Sequence, residues 1–382
     1  MIDFLTPVSK EVLAHAKMQE EQSLGFQTQF HTESEFPEIK KGNLVIVGVL
    51  ENRNDINYIG EQLSFDSIRK SLYELFPGNW TQIIVDIGDI QAGAAVSDTY
   101  FAVKQVVAAI IKLGATPIIL GGTNDLTYAT YRAYDQLDQM VNLVTIDAKF
   151  DLRDASEGIK NNNYLNQIII EEPNNLINFT NIGFQTYYNS QEEIDLMERL
   201  YFEAYRLGEI THKIDRVEPI TRNADVVSFD ITAIRASELS NGKGYRSPNG
   251  FEGKEACAIA RYAGLSNQVS CFGLFEINNA LSDSGEMLIA QIIWYFIEGV
   301  HCKIKEPSFL EAENFTKYNV LLPDFDLVFY KSTKSNRWWV ATPENNMTQK
   351  NALLPCSQED YNAACNQKIP ERIFKAFRKN LI

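Results

Sequence analysis

The run VTIDAKFDLRD, residues 144–154, sets three aspartates, Asp147, Asp151 and Asp154, behind an apolar stretch and places Lys149 between the first two. Carboxylates gathered at one point repel one another and are driven toward protonation unless a positive charge sits among them. Other apolar runs end the same way: Asp86 and Asp89 in TQIIVDIGDI, Thr123 to Asp125 after TPIILGG, Asp230 to Arg235 after ADVVSF, and Glu276 in SCFGLFEIN. One acid after a strand more often caps a helix or shapes a turn. Acids at several strand ends fit a shared crevice better. Two chemistries suit it: a carboxylate-rich metal site, because hard divalent cations favour oxygen ligands, or a salt-bridged crevice without metal. A lysine flanked by acids keeps a high pKa, the wrong direction for a Schiff-base or general-base lysine. Cys257 and Cys271 have no evident histidine partner, and neither a P-loop nor a strand-linked GxGxxG is present.

The elements that must position these residues read as buried strands at 43–50, 81–90, 116–122, 141–148, 224–231 and 270–278. Their apolar runs are continuous rather than alternating, which suits parallel strands covered on both faces. Helical periodicity lies between them, in Phe65 to Phe76, Thr99 to Leu113 and Ser190 to Leu207. Strand, helix, strand repeats predict an α/β fold with a parallel sheet and its crevice at the carboxyl ends of the strands. We expect a helical segment over 1–40, an α/β domain over 41–305 and an extension over 306–382. In the extension DLVFYKSTKSNRWWV reads as a hairpin and residues 355–380 as a turn and helices. Trp338 and Trp339 read as packing residues, with an interface anchor as the other use of paired aromatics.

Composition narrows the function classes. A net charge of −15, with no basic stripe to offset it, argues against a nucleic-acid partner. There is no apolar run of about 18 residues to span a membrane and no signal-like N-terminus, so a cytoplasmic protein is expected. Five cysteines, odd in number and without a CxxC pair, argue against a disulfide framework or a thiolate zinc site.

LGGTND, TIDAKFDLRD, SFDITAIRAS and LFEIN follow the order and spacing of GGDHS, DAHxD, SxDxDxxDP and a later E-N-P in the ureohydrolase family of arginase, agmatinase and formimidoylglutamase. The chain resembles that family over about residues 40–300, and DAKFDLR is most similar to the formimidoylglutamase form DAHFDLR. The resemblance implies a three-layer α/β/α arginase-like fold, self-association into an oligomer, and two Mn2+ ions held at positions that are Asn124, Asp147, Lys149, Asp151, Asp230 and Thr232 here. Three of these positions keep a carboxylate, both imidazole positions are lost, and none of His15, His31, His212 or His301 lies in a motif.

The substitutions predict a binding or scaffold protein in which the Lys149 ammonium takes the place of the metal charge by bridging Asp147, Asp151 and Asp230, with no cofactor. A single ion on those three aspartates is the alternative for the site. An active hydrolase of a formimino or guanidino C–N bond, using manganese in an atypical arrangement, is the alternative for the function. Glu276 is expected either to meet a cationic amidine ligand or to pair with Lys149 or Arg235 as a structural residue; Arg153 either meets a ligand carboxylate or a neighbouring acid, and Arg235 either adds a further charge or points into solvent. A protein partner would use the extension.

Overall fold

The strand-forming runs fold as their composition dictates. In the computed structural model, which describes all residues except 138, 157, 243, 307–311, 324, 343–352 and 380–382, nine strands form one sheet. They are β1 (Gln29–Phe30), β2 (Leu44–Leu50), β3 (Ile84–Gln91), β4 (Thr116–Gly121), β5 (Val141–Ile146), β6 (Leu176–Phe184), β7 (Glu203–Arg206), β8 (Val226–Asp230) and β9 (Cys271–Phe275). Their spatial order is β1-β3-β2-β4-β9-β8-β5-β6-β7, and every pairing is parallel.

Alternate residues of each strand enter different cores. Leu44 and Ile46 of β2 pack with helices Asp66–Glu74, Gly253–Leu265 and Asp283–His301, whereas Val45, Val47 and Val49 pack with Val96–Lys112, Leu126–Arg132 and Tyr164–Ile170. Because both faces are covered, a side chain pointing either way is buried, which explains the unbroken apolar runs.

Helix Gln191–Arg199 is shorter than the periodicity of 190–207 predicts. Tyr201 adopts a φ of 52°, a left-handed conformation that ends the helix, and residues Glu203–Arg206 then pair with β6 as β7. The segment 1–40 contributes helix Lys10–Met18 and also β1 at the sheet edge.

The extension forms a second sheet of four antiparallel strands in sequence order: β10 (Phe315–Leu321), β11 (Asp326–Ser332), β12 (Trp338–Ala341) and β13 (Leu353–Cys356). β11 and β12 are the expected hairpin. Helices Gln358–Cys365 and Glu371–Lys379 follow β13, and this sheet and its helices share a core of their own. Trp338 and Trp339 are buried. Trp338 stacks on Tyr361, and the Arg222 guanidinium lies 4.7 Å from the Trp339 ring centroid. They are packing residues, unavailable as exposed anchors. Arg222 also donates to the Trp338 carbonyl at 2.7 Å, while Arg372 donates to the carbonyls of Pro219 and Pro355 and pairs with Glu203. Glu203 opens β7 and Arg222 precedes β8, so the extension docks at the amino ends of these strands. No described helix is long and apolar enough to cross a membrane.

Candidate functional site

Four adjacent strands, β4, β9, β8 and β5, bring the expected residues off their carboxyl ends to one crevice of about 800 Å3, which Lys149, Asp151, Asp230, Thr232 and Glu276 line and beside which Asn124 and Asp147 are buried. Asn124 follows β4, Glu276 follows β9, Asp230 ends β8 with Thr232 beyond it, and Asp147, Lys149 and Asp151 follow β5. The chain leaves β4 on one side of this group and enters β5 on the other, so the crevice sits where the strand order reverses. Gly122 permits the close approach at the β4 end, because a Cβ there would lie 2.0 Å from the Glu51 carbonyl oxygen.

The aspartates are bound from beneath. Asn124 Nδ2 donates to Asp147 Oδ2 and to Asp151 Oδ2, both at 3.1 Å, while its Oδ1 accepts from Thr127 at 3.3 Å. The Lys149 backbone N–H donates to Asp147 Oδ1 at 2.8 Å, and the Thr232 N–H donates to Asp230 Oδ1 at 2.6 Å. Asn181 of β6 holds the turn by donating to the Lys149 carbonyl at 2.8 Å. Glu276 Oε1 accepts from the Asn124 N–H at 2.9 Å and from Asn161 Nδ2 at 3.1 Å. Asp151 and Glu276 both have positive φ, 54° and 62°. Such conformations in residues other than glycine persist only where surrounding contacts over-determine them, as at functional sites.

The electrostatics follow from this crowding. Burial, with the charges of Asp151 and Asp230 added, drives Asp147 well above the usual carboxylate range. Burial lifts Asp151 to about 7 against the opposing charge of Lys149, and Asp147 hydrogen bonds to it. Asp230 is raised by burial against Lys149 and its bonds to Thr232. Burial and then Asp230 raise Glu276 well above its usual range. For Lys149, burial alone would lower the pKa, but the combined fields of Asp151, Asp147, Asp230 and Glu276 prevail and raise it. The cluster is therefore over-acidic: one ammonium does not hold four acids ionised.

Three expectations need correction. Lys149 does not bridge the aspartates: its side chain lines the crevice within the field of the acids, and among the described residues it makes no direct ion pair. The carboxyl oxygens are engaged by Asn124 and backbone N–H groups, so the ammonium acts on them through its field. Arg235 is drawn to Glu252 at 3.0 Å on another face, and the exposed Arg153 does not line the crevice. Asp86 and Asp89 pair instead with the buried Arg69, at 2.8 Å each. Conversely, Asn161, Tyr245 and Arg246 line the crevice, and Tyr245 donates to the Glu276 carbonyl at 3.0 Å. The polar run Asn161 to Asn163 reads as a surface loop; no signal in the sequence links it to Glu276.

The set of side chains does not match a two-ion site. Asn124 turns its N–H groups, not its oxygen, toward the aspartates, and Lys149 supplies a cation. Among the described residues no three His, Cys, Asp or Glu side chains are disposed to hold an ion.

Comparison with known proteins places the chain. The Arginase family matches residues 43–298. Formimidoylglutamase of Geobacillus sp. is 23% identical over 228 residues, covering 57% of this chain and 69% of that protein. That of Hahella chejuensis is 29% identical over 143 residues, covering 35% and 44%. The crystal structure of formimidoylglutamase from Bacillus subtilis superposes with a TM-score of 0.63 at 18% identity, over 71% of this chain and 90% of that one. Formiminoglutamase of Trypanosoma cruzi with Mn2+ gives 0.61 at 17% identity, over 69% and 95%. The fold's neighbours thus include manganese-bound enzymes, which overturns the expectation that a chain of this kind needs no cofactor. With the family matched across the sheet that builds the crevice, the chain belongs to the arginase family of ureohydrolases and is related to the formimidoylglutamases.

Proposed function

We propose that this chain is a ureohydrolase-fold binding protein that has lost the family's two-manganese hydrolysis and uses the acidic crevice to recognise a small cationic amidine. The observation that carries the reading is the bonding of Asn124. Its amide donates to Asp147 and Asp151 where a metal centre would need an electron-pair donor, and Lys149 brings a cation to the same crevice. Asp147, Asp151 and Asp230 are the carboxylates left to meet manganese, and Asn124, Lys149 and Thr232 do not complete a set for a pair of ions. A bound metal lowers the pKa of an attacking water, and the side chains supply no evident substitute for a pair of ions. What remains is recognition. Asn124 and Asn161 hold Glu276 through Oε1, and an amidinium beside it would favour the ionised form that burial and Asp230 oppose, a carboxylate that accepts charge-assisted N–H bonds.

Metal analysis and turnover together test this. After dialysis against manganese, at most one ion per chain should remain, with no formamide or urea released from N-formiminoglutamate, arginine or agmatine. Two ions per chain with amidine hydrolysis would overturn the reading. Asn124→His, Lys149→His and Thr232→Asp in combination should admit a second ion; a folded triple variant with unchanged stoichiometry would show that these positions do not form the lost site.

A further inference from the structure

The rim of the crevice has a different chemistry from its floor. The segment 52–61 runs along the mouth and leaves Ile56, Tyr58 and Ile59 exposed by 53%, 44% and 80%. Apolar side chains scattered singly over a surface need no explanation. Three within four positions, all lining the same cavity as Asp151, Asp230 and Glu276, form an apolar edge above an acidic floor.

Asn161 ties this rim to Glu276 on the floor. Asn161 Oδ1 accepts from the Ile56 N–H at 3.3 Å, and its Nδ2 donates to Asp55 Oδ1 at 3.3 Å and to Glu276 Oε1 at 3.1 Å. Asn52 Nδ2 closes the segment by donating to the Glu61 carbonyl at 3.0 Å. A fully polar ligand would satisfy the floor and leave the rim wet.

We infer that the crevice selects an amidinium or guanidinium bearing an apolar substituent, with the head group at Glu276 and the substituent against Ile56, Tyr58 and Ile59. The inference rests on the amidine-binding reading and adds the part of the ligand that reading leaves undefined. Asn161 is the positioning residue, because it sets the distance between the rim and the carboxyl.

Titration calorimetry on the full chain with benzamidine and acetamidine separates tail from head, since the two share the amidinium. Benzamidine should bind about tenfold more tightly, the effect of burying roughly 50 Å2 of apolar surface. Replacing Ile56, Tyr58 and Ile59 together by Ser should reduce benzamidine to the level of acetamidine, and Asn161→Ala should shrink the preference while both probes still bind. Equal affinity in the natural chain, or a preference that survives the triple rim variant, would overturn the inference alone. Failure of both probes to bind would overturn the amidine reading itself, and this inference with it.

Discussion

At the scale of single residues, the crevice holds its acids in a state that costs stability. Asp151 has a folded pKa of about 7, because burial outweighs the field of Lys149 and the bonds from Asn124 and Asp147. In the unfolded chain the same carboxyl loses its proton near 4. Between those values the folded state binds more protons than the unfolded one, so this group makes stability fall as pH rises through the window. Each pH unit within it costs on the order of 1 kcal/mol. Asp151→Asn should therefore be more stable than the natural chain at pH 7 in metal-free buffer, and the gain should fade toward pH 4. Urea denaturation midpoints at pH 4.5, 6 and 7 measure this; a gain that does not depend on pH would mean that Asp151 is ionised throughout. Stabilisation by removing a site acid is the usual sign of a position kept for binding rather than for folding.

At the scale of elements, the sequence was readable where burial alone decides structure and opaque where partners do. Strands β4, β5, β8 and β9 appear as apolar runs because helices cover both their faces. β6 does not stand out as an apolar run because its buried side chains are partly polar: Asn181 is buried to hold the Lys149 carbonyl, a use invisible without the fold. The acids at 147, 151, 230 and 276 could be placed in one crevice from strand ends and motif order, whereas the directions of Lys149, Arg153 and Arg235 could not. Long cationic side chains go to whichever partner the fold presents, and for Arg235 that partner is Glu252. Asp86 and Asp89 show the same limit. They look like crevice acids in sequence, yet with Tyr73 they enclose Arg69 between helix Asp66–Glu74 and β3. Removing one member of a buried ion network strands the others, so Arg69→Met should cost about 3–5 kcal/mol in urea denaturation. A loss below about 1 kcal/mol would show that Asp86 and Asp89 do not depend on this cation.

At the scale of the whole molecule, the two ends of the large sheet have separate tasks. The carboxyl ends of β4, β9, β8 and β5 form the crevice, and the extension closes on the amino ends of β7 and β8. Arg372 shows how the contact is held: from helix Glu371–Lys379 it donates to the carbonyls of Pro219, in the large domain, and Pro355, in β13, and pairs with Glu203 at 2.8 Å. Truncation leaves two carbonyls and a carboxylate with fewer partners in a largely buried site, at a cost of about 3 kcal/mol. Arg372→Ala should accordingly lower the denaturation midpoint, while the affinity for benzamidine and the number of manganese ions retained stay as in the natural chain. The separation is what makes that combination informative. If the variant lost ligand affinity in step with stability, the extension would be coupled through the sheet to the crevice; if it lost neither, the contact at Glu203 would contribute nothing to holding the extension. Stability lost with affinity kept is the result expected of an addition that braces the fold from the end opposite its binding site.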